Sequence, residues 1–439
     1  MNVMVERSRI IKPLNDTTSH LAATHIPLSV FDKVTFDAHI AAIYAYHPPT
    51  PPTCVIELGL QKTLAIYPEM AGRLGKDENG NFVIFLNDKG VRFIEAKVES
   101  ALDHSILLKP SPVLLTLHPT FKDEDDVIQI QITRFTCGSM VIGFGIHDQV
   151  ADGRSVSSFL VAWGRVTREV GVNSLPFRDR TVDTPRSPPF MEYEHEDSEF
   201  MSKRVKIEYL LDETLQIQKD VVVENFHFTQ EFLTKLKAIA SSKNVQDKPY
   251  STFQSLVAHL WRVMTRARNL HGSETTLIRI AIDGHMRLIP RASDEHFGVL
   301  WALPTAKVED LLCESLPHAT KLIHDAIIKV KKDYFRSIVD FADDEAIEGD
   351  LIPTTNTNKP IFLPDLEVES WLSFPAHNLD FGTGGPFSFM PSFYSVEGMI
   401  LLVPSSTREG GIDAFIPLLK DNLPTFRKFC YAIDFMQPH

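Results

Sequence analysis

The chain of 439 residues has little cysteine and no long apolar run. Its four cysteines, Cys54, Cys137, Cys313 and Cys430, are scattered, with neither a CxxC pair nor the Cys/His spacing of a zinc site. That pattern predicts buried free thiols in a reducing cytosol and no bound metal. No window reaches 18 apolar residues, which excludes a membrane-spanning helix and any evident anchor. The segment MNVMVERSRIIKP lacks the apolar core and cleavage site of a signal peptide and reads as a first strand. An excess of positive charge is also missing: 57 acidic residues against 44 basic give a net charge of -13, which argues against a nucleic-acid partner. A single basic pocket for a phosphate-bearing ligand remains compatible with that balance. There is no Walker loop, no GxGxxG and no internal repeat.

What is present is the composition of a folded globular protein, 44% apolar and 23% charged. A chain of this length exceeds one ordinary core, so two domains of about 200 residues are expected. The boundaries are read as a first domain over 1–185, a crossover loop over 186–222 and a second domain over 223–439. The crossover is placed there because PFRDR and RSPPFMEYEHEDSEF look like charged surface chain.

Local patterns fill in the elements. HPPTPP is a rigid turn between FDAHIAAIYAY and the helical spacing of VIELGLQKTLAIYPEMAGRL. GNFVIFLNDKGVRFIEA reads as short strands joined at NDKG. In DDVIQIQITRF, Val127, Gln129, Gln131 and Thr133 alternate with Ile128, Ile130 and Ile132, giving a polar and an apolar face. A turn at Cys137-Gly138 returns the chain as SMVIGFGI, making a hairpin. HDQVADG follows, and Asp152 stands where it can cap the helix RSVSSFLVAWGRV. In the second half, VVVENFHF is a strand and TQEFLTKLKAIAS a helix. Ser251 or Thr252 caps an amphipathic helix whose stripe is Phe253, Leu256, Val257, Leu260 and Met264. Ile278, Ile280 and Ile282 alternate in a strand that enters DGHMRLIP. The acidic stretch FADDEAIEGD lacks the order of a calcium loop and reads as a solvated surface.

The segments HDQVADG, STFQSLVAHLWR, IAIDGHMRLIP and SWLSFPAHNLDFGTGGP, in this order and at these separations, resemble the landmarks of the plant BAHD acyltransferases, and the likeness covers nearly the whole chain. The resemblance implies a two-domain α/β fold with mixed sheets and an interdomain channel. It also implies that a segment near 375–405 packs back on the first domain. The implied activity is transfer of an acyl group from coenzyme A, with acyl-CoA as co-substrate and no permanently bound cofactor. The expected enzyme is a cytoplasmic monomer of plant specialised metabolism, with no membrane partner.

Residue by residue, the family keeps its general base at the histidine of a His, three residues, Asp, Gly signature. Counting back from Asp152 and Gly153 puts that position at Asp148, while the actual histidine, His147, comes one residue early. The departure matters because an imidazole with a pKa of about 6.5 takes a proton near neutrality far better than a carboxylate of about 3.9. Four readings stay open: His147 reaches the substrate, Asp148 serves as the base with its pKa raised by burial or by Asp152, transfer is lost, or the aspartate is an engineered substitution of a catalytic histidine.

The resemblance gives Asp152 a structural role through an arginine. It reads Asp380, Gly382, Thr383 and Gly384 as the second signature, with Asp380 paired to Arg287 or His285 of the DGHMR segment. Taken without it, the glycines supply a tight turn. Trp371 matches an indole that orients the acceptor and donates to the oxyanion, and alone would be a core tryptophan. For coenzyme A the resembling positions are Ser251, Thr252, Phe253, Asp283, Gly284 and Arg287. Thr383, standing where tryptophan is common, resembles the branch that acylates agmatine, putrescine, tyramine or tryptamine. Glu369 suits a cationic acceptor by charge. The expected product is therefore an amide carrying a hydroxycinnamoyl-type group. An ester-forming enzyme and a homologue with impaired catalysis at Asp148 are the alternatives.

Overall fold

A computed structural model of the chain describes residues 1–14, 24–121, 126–172, 184–196, 198–203, 220–242, 248–284, 287, 298–342, 351–357, 362–405 and 410–433. The acidic stretch 343–350, His285 and much of the expected crossover lie outside these residues. The chain forms two compact units. The first comprises Met1–Pro189, Asp283–Val299 and Ser373–Phe393; the second comprises Phe190–Ile282, Leu300–Leu372 and Tyr394–His439.

The first unit is built on a six-stranded mixed sheet. Its order is Met4–Ile11, Val91–Val98, Ile128–Phe135, Met140–His147, His39–Tyr46 and Ser388–Pro391. Only the pairing of Val91–Val98 with Ile128–Phe135 is parallel; Ile128–Phe135 and Met140–His147 form the expected hairpin. The helices Thr53–Leu64 and Gly153–Thr167 pack together, and the buried Trp163 indole N–H donates to the Ile56 carbonyl at 3.0 Å. The strands flanking NDKG exist, but Phe82–Phe85 belongs to a separate three-stranded sheet while Val91–Val98 joins the large one. The turn therefore links two sheets and closes no hairpin.

The polar face of Ile128–Phe135 is not half-exposed, as its alternation suggests. Gln129, Gln131 and Thr133 are all buried, because the segment around Leu117, His118 and Phe121 lies over that face. Gln131 finds its partners there, donating to the Thr116 carbonyl at 2.8 Å and to Thr133 Oγ1 at 3.0 Å. Neither polar atom of the Gln129 amide has a hydrogen-bond partner. Glycine makes the approach possible: a Cβ on Gly143 would come within 2.1 Å of the Leu117 oxygen, and one on Gly145 within 1.9 Å of the Phe121 ring.

The second unit holds a sheet in the order Val221–Phe228, Ile412–Leu419, Met399–Pro404, Leu366–Ser370, Thr275–Asp283 and Val299–Ala302, with Thr305–Lys307 also paired to Thr275–Asp283. Leu366–Ser370 lies parallel to both its neighbours. The helix Thr252–Ala267 is buried around most of its circumference, not along one stripe: Trp261, Arg262 and His259 are as enclosed as Leu256 and Leu260, while Phe253 is only half-buried. The helices Gln230–Ala240, Leu316–Lys329 and Leu423–Phe429 all contact it. The guanidinium of Arg262 is accommodated by donating to the carbonyls of Leu311 at 3.0 Å and Glu314 at 2.7 Å, and burial pushes its pKa down to about 10.

Two further expectations are corrected. The charged run HEDSE looks like surface chain, yet His195 and Glu199 are completely buried. His195 Nδ1 meets Glu199 Oε2 at 3.0 Å, His195 Nε2 meets Ser337 Oγ at 3.0 Å, and the Tyr334 hydroxyl donates to Glu199 Oε1 at 2.8 Å. Each buried polar group thus has a partner, which is why the run can be internal. The cysteines are free, but only Cys430 is buried; Cys54, Cys137 and Cys313 are exposed.

Candidate active site

In the first unit, His147 is the last residue of the strand Met140–His147, and its register partner across the sheet is His39. The chain is then clamped by residues just before His39: the Asp148 amide donates to the Ala38 carbonyl at 3.0 Å, and the Asp148 carboxylate accepts from the Phe36 amide at 3.3 Å. Val150 N–H turns back to the His147 carbonyl at 2.9 Å, and Asp152 caps the helix Gly153–Thr167 by accepting from Ser155 N–H at 2.9 Å. A strand end, a tight turn and a capped helix thus fix position 148 from both sides. Gly153 has a packing reason as well, since a Cβ there would meet the Phe374 ring at 2.0 Å.

The two candidate bases differ in surroundings. His147 is buried, its Nε2 lies 3.4 Å from Asp37 Oδ1, and its Nδ1 has no hydrogen-bond partner. Burial, followed by the neighbouring His39, pushes its pKa down to about 4, so at neutral pH the imidazole carries no charge. His39 is stacked on Phe121 at 4.6 Å and meets the Asp126 carbonyl through Nε2 at 2.6 Å, and burial lowers its pKa too. Asp148 is half-buried. Nothing local in the sequence marks His39, Asp37 or Phe121: His39 reaches His147 only through cross-strand register.

Asp380 organises its own turn. Oδ1 accepts from Gly382 N–H at 2.8 Å and Gly384 N–H at 2.9 Å, and both glycines adopt the left-handed backbone, with φ of 106° and 102°. Among the described residues its ion-pair partner is Arg168, at 3.2 Å, and not Arg287; His285, the other expected partner, lies outside the described residues. Arg168 follows the helix Gly153–Thr167, so the helix that begins at Asp152 also holds the DFGTG turn at its other end. Thr383 is exposed at the tip of that turn. Asp283 pairs with Arg154 through Oδ2 at 2.8 Å, and Arg287 is half-buried with its pKa lowered by burial.

The second unit holds the remaining positions. Trp371 is buried, 8% exposed, directly after the strand Leu366–Ser370, and its amide donates to the Leu402 carbonyl at 2.8 Å. Glu369 is half-buried on that strand. Ser251 and Gln254 form a reciprocal capping box at the start of Thr252–Ala267, with distances of 2.9 and 3.1 Å, and Thr252 and Phe253 are half-buried beside it. The structure thus gathers His147, Asp148, Asp152, Gly153, Asp283, Gly284, Arg287, Asp380, Gly382, Thr383 and Gly384 in one unit. Ser251, Thr252, Phe253, Glu369 and Trp371 fall in the other. Among the described residues there is no group of three or more His, Cys, Asp or Glu side chains that could hold a metal ion, and no helix long and apolar enough to cross a membrane.

With this geometry in hand, comparison with known proteins gives consistent matches. The profile of the Transferase family matches residues 1–433. The chain is 42% identical to agmatine hydroxycinnamoyltransferase 1 of Oryza sativa subsp. japonica, over 99% of both chains. It is also 42% identical to putrescine hydroxycinnamoyltransferase 3 of the same organism, over 99% of this chain and 100% of the relative. Among solved structures, vinorine synthase matches with a TM-score of 0.72 at 22% identity, covering 97% of this chain and 96% of that one. The F. sporotrichioides TRI101 complex with coenzyme A and T-2 matches with a TM-score of 0.73 at 17% identity, over 92% and 97%. These structures share the fold.

Proposed function

The chain belongs to the Transferase family, the BAHD acyltransferases, and from that premise we propose that it is a coenzyme A-dependent N-acyltransferase that moves a hydroxycinnamoyl-type group onto an aliphatic or aromatic amine. The observation that carries the reading is full-length similarity to two enzymes named for such amines, agmatine and putrescine, at the same 42% identity. Acyl-CoA is a co-substrate here and not a resident cofactor. We read the enzyme as a cytoplasmic monomer.

The chemistry of an amine acceptor fits an aspartate at position 148. An alcohol must lose its proton as it attacks, so it depends on a good base. The acceptor enters as an ammonium and sheds one proton to solvent in the channel; the resulting neutral amine attacks the thioester carbonyl with its own lone pair. Its proton is then lost from the positively charged nitrogen of the tetrahedral intermediate, which is far more acidic than the free ammonium. A carboxylate is a sufficient base for that later step. Asp148, held by the Phe36 amide, is our choice for the group that takes this proton. His147 is buried, and burial pushes its pKa down to about 4, which makes it a weaker base than an ordinary imidazole. By the family resemblance the Trp371 indole N–H donates to the oxyanion, and Glu369 supplies negative charge for the acceptor's cation. Collapse of the intermediate re-forms the carbonyl, expels the coenzyme A thiolate and leaves the amide. We assign the donor to Ser251, Thr252, Phe253, Asp283, Gly284 and Arg287; the Asp283 carboxylate pairs with Arg154 at 2.8 Å.

The test is thiol release from coumaroyl-CoA with agmatine, putrescine, tyramine and tryptamine, with amide formation confirmed by mass and Asp148→His run alongside. Amide from the unaltered chain above the uncatalysed rate is expected. Amide from Asp148→His alone would mean a pocket disabled at its base, and ester formed from hydroxylated acceptors in place of amide would overturn the reading.

A further inference from the structure

The sheet face under Leu117, His118 and Phe121 holds buried polar side chains, and most of them are matched. Gln131 has the Thr116 carbonyl and the Thr133 hydroxyl, His118 has the Ser392 hydroxyl at 2.6 Å and the Pro119 carbonyl at 2.8 Å, and His39 has the Asp126 carbonyl. Three atoms on this face lack a hydrogen-bond partner: Nε2 and Oε1 of Gln129, whose side chain has no exposure, and Nδ1 of the buried His147. The cover explains the difference. To Gln131 it offers a backbone carbonyl, but over the next row it lays the Phe121 ring against Gly145, the register partner of Gln129. The three atoms are also neighbours. His147 stands two residues beyond Gly145 on the same strand, so it shares the face of Gln129 and lies diagonal to it. Diagonal neighbours are about 7–8 Å apart, a gap that a glutamine side chain and one water, with hydrogen bonds of about 2.9 Å, can span. Buried polar groups left unmatched are costly. A buried water makes about three hydrogen bonds, one for each of these atoms. It both donates and accepts, as the carboxamide does, so it serves Nδ1 of the uncharged imidazole in either tautomer.

We propose that the Gln129 carboxamide and His147 Nδ1 bind one internal water, and that through it Gln129 is a positioning residue for the turn that presents Asp148. His147 ends its strand and Asp148 follows it directly, tied from outside by the Ala38 carbonyl and the Phe36 amide. The water holds the preceding ring from inside the sheet, where its other contacts are the His39 ring and, at 3.4 Å from Nε2, Asp37. Gln129 touches no substrate. Its effect on turnover rests on the reading of Asp148 as the base, whereas the water site does not.

Gln129→Met keeps the length of the side chain and removes both amide atoms. Deleting a carboxamide that truly has no partner would raise the urea midpoint, whereas deleting one that binds a water is expected to lower it. The loss should be less than additive with that of His147→Leu, because either change releases the same water. A crystal structure of the full chain should show one water within hydrogen-bonding distance of Gln129 and His147 Nδ1, and none there in Gln129→Met. A raised midpoint, additive losses or no water at that position overturns the proposal. With coumaroyl-CoA and agmatine, Gln129→Met is expected to lower kcat about 3- to 10-fold at little-changed KM, as for a displaced proton acceptor, and to cost nothing further in the Asp148→Asn background. An unchanged kcat, or the same loss in both backgrounds, removes the positioning role. If Asp148→Asn itself turns over at the parent rate, the reading of Asp148 falls and takes the positioning role with it, while the midpoint, the cycle and the crystal structure still decide the water.

Discussion

His39 and His147 face each other across adjacent antiparallel strands, their ring centres 5.1 Å apart and their planes at 77°. Stacking continues from His39 through Phe121 to His118, whose Nε2 meets the Ser392 hydroxyl at 2.6 Å. Three imidazoles with pKa values lowered by burial thus lie under one sheet face beside the HDQVADG turn.

This arrangement predicts acid sensitivity. The pKa of His147 is about 4 when folded, against an ordinary value of 6.5, so between these pH values the unfolded chain binds more protons than the folded one. Its contribution to stability is complete above about pH 6.5 and is lost as the pH falls towards 4, at a cost of up to about 3 kcal/mol. Urea unfolding at a series of pH values should show the loss, and His147→Asn should flatten part of it. Parallel pH curves for the two proteins would refute the assignment.

Removing the Asp148 carboxylate should slow chemistry without unfolding the protein. For Asp148→Asn we expect kcat/KM with agmatine to fall about 10²-fold, while Tm changes little, because the Asp148 backbone keeps its bond to Ala38. Steady-state kinetics and a melting curve decide it; unaltered kcat/KM would exclude Asp148 as the base.

Close approach at two glycines should be intolerant of a side chain. Gly145→Ala drives a methyl into the Phe121 ring, and Gly153→Ala drives one into the Phe374 ring. Each is expected to cost about 1–3 kcal/mol, read as a shift in the denaturation midpoint. Gly171→Ala, where nothing lies within 4 Å, is the neutral control.

The buried pair of Arg268 and Glu397 should be expensive to break and cheaper to remove. Arg268 donates to both Glu397 oxygens, at 3.0 and 2.7 Å, and also to the carbonyls of Pro364 and Asp365. Glu397→Ala strands a buried guanidinium and should cost about 3–5 kcal/mol. Arg268→Met combined with Glu397→Leu should cost less than that single change; chemical denaturation of both variants gives the comparison.

Much of the site was legible because it lies in contiguous segments. Asp152 before an apolar helical repeat announces its cap, and the glycines after Asp380 announce their turn, since both depend on backbone within a few residues. The pairing of Asp380 with Arg168 is not legible, because an ion pair between distant segments leaves no local trace: the two residues are 212 apart in sequence. His195 and Glu199 look like surface residues in the sequence for a related reason. A charged pair looks solvated until its partners, Tyr334 and Ser337, are known to enclose it.

The sequence by itself determined the element types, the family and the position of the aspartate where a histidine is usual, because periodicity, capping and motif order are properties of short stretches and their sequence separation. Only the tertiary structure decided what surrounds those residues. Cross-strand register places His39 against His147 and Gln129 against Gly145, and it enclosed the polar face of Ile128–Phe135 under the segment that carries Phe121. Burial and neighbouring charge set the protonation of a side chain, and both come from residues brought together by folding.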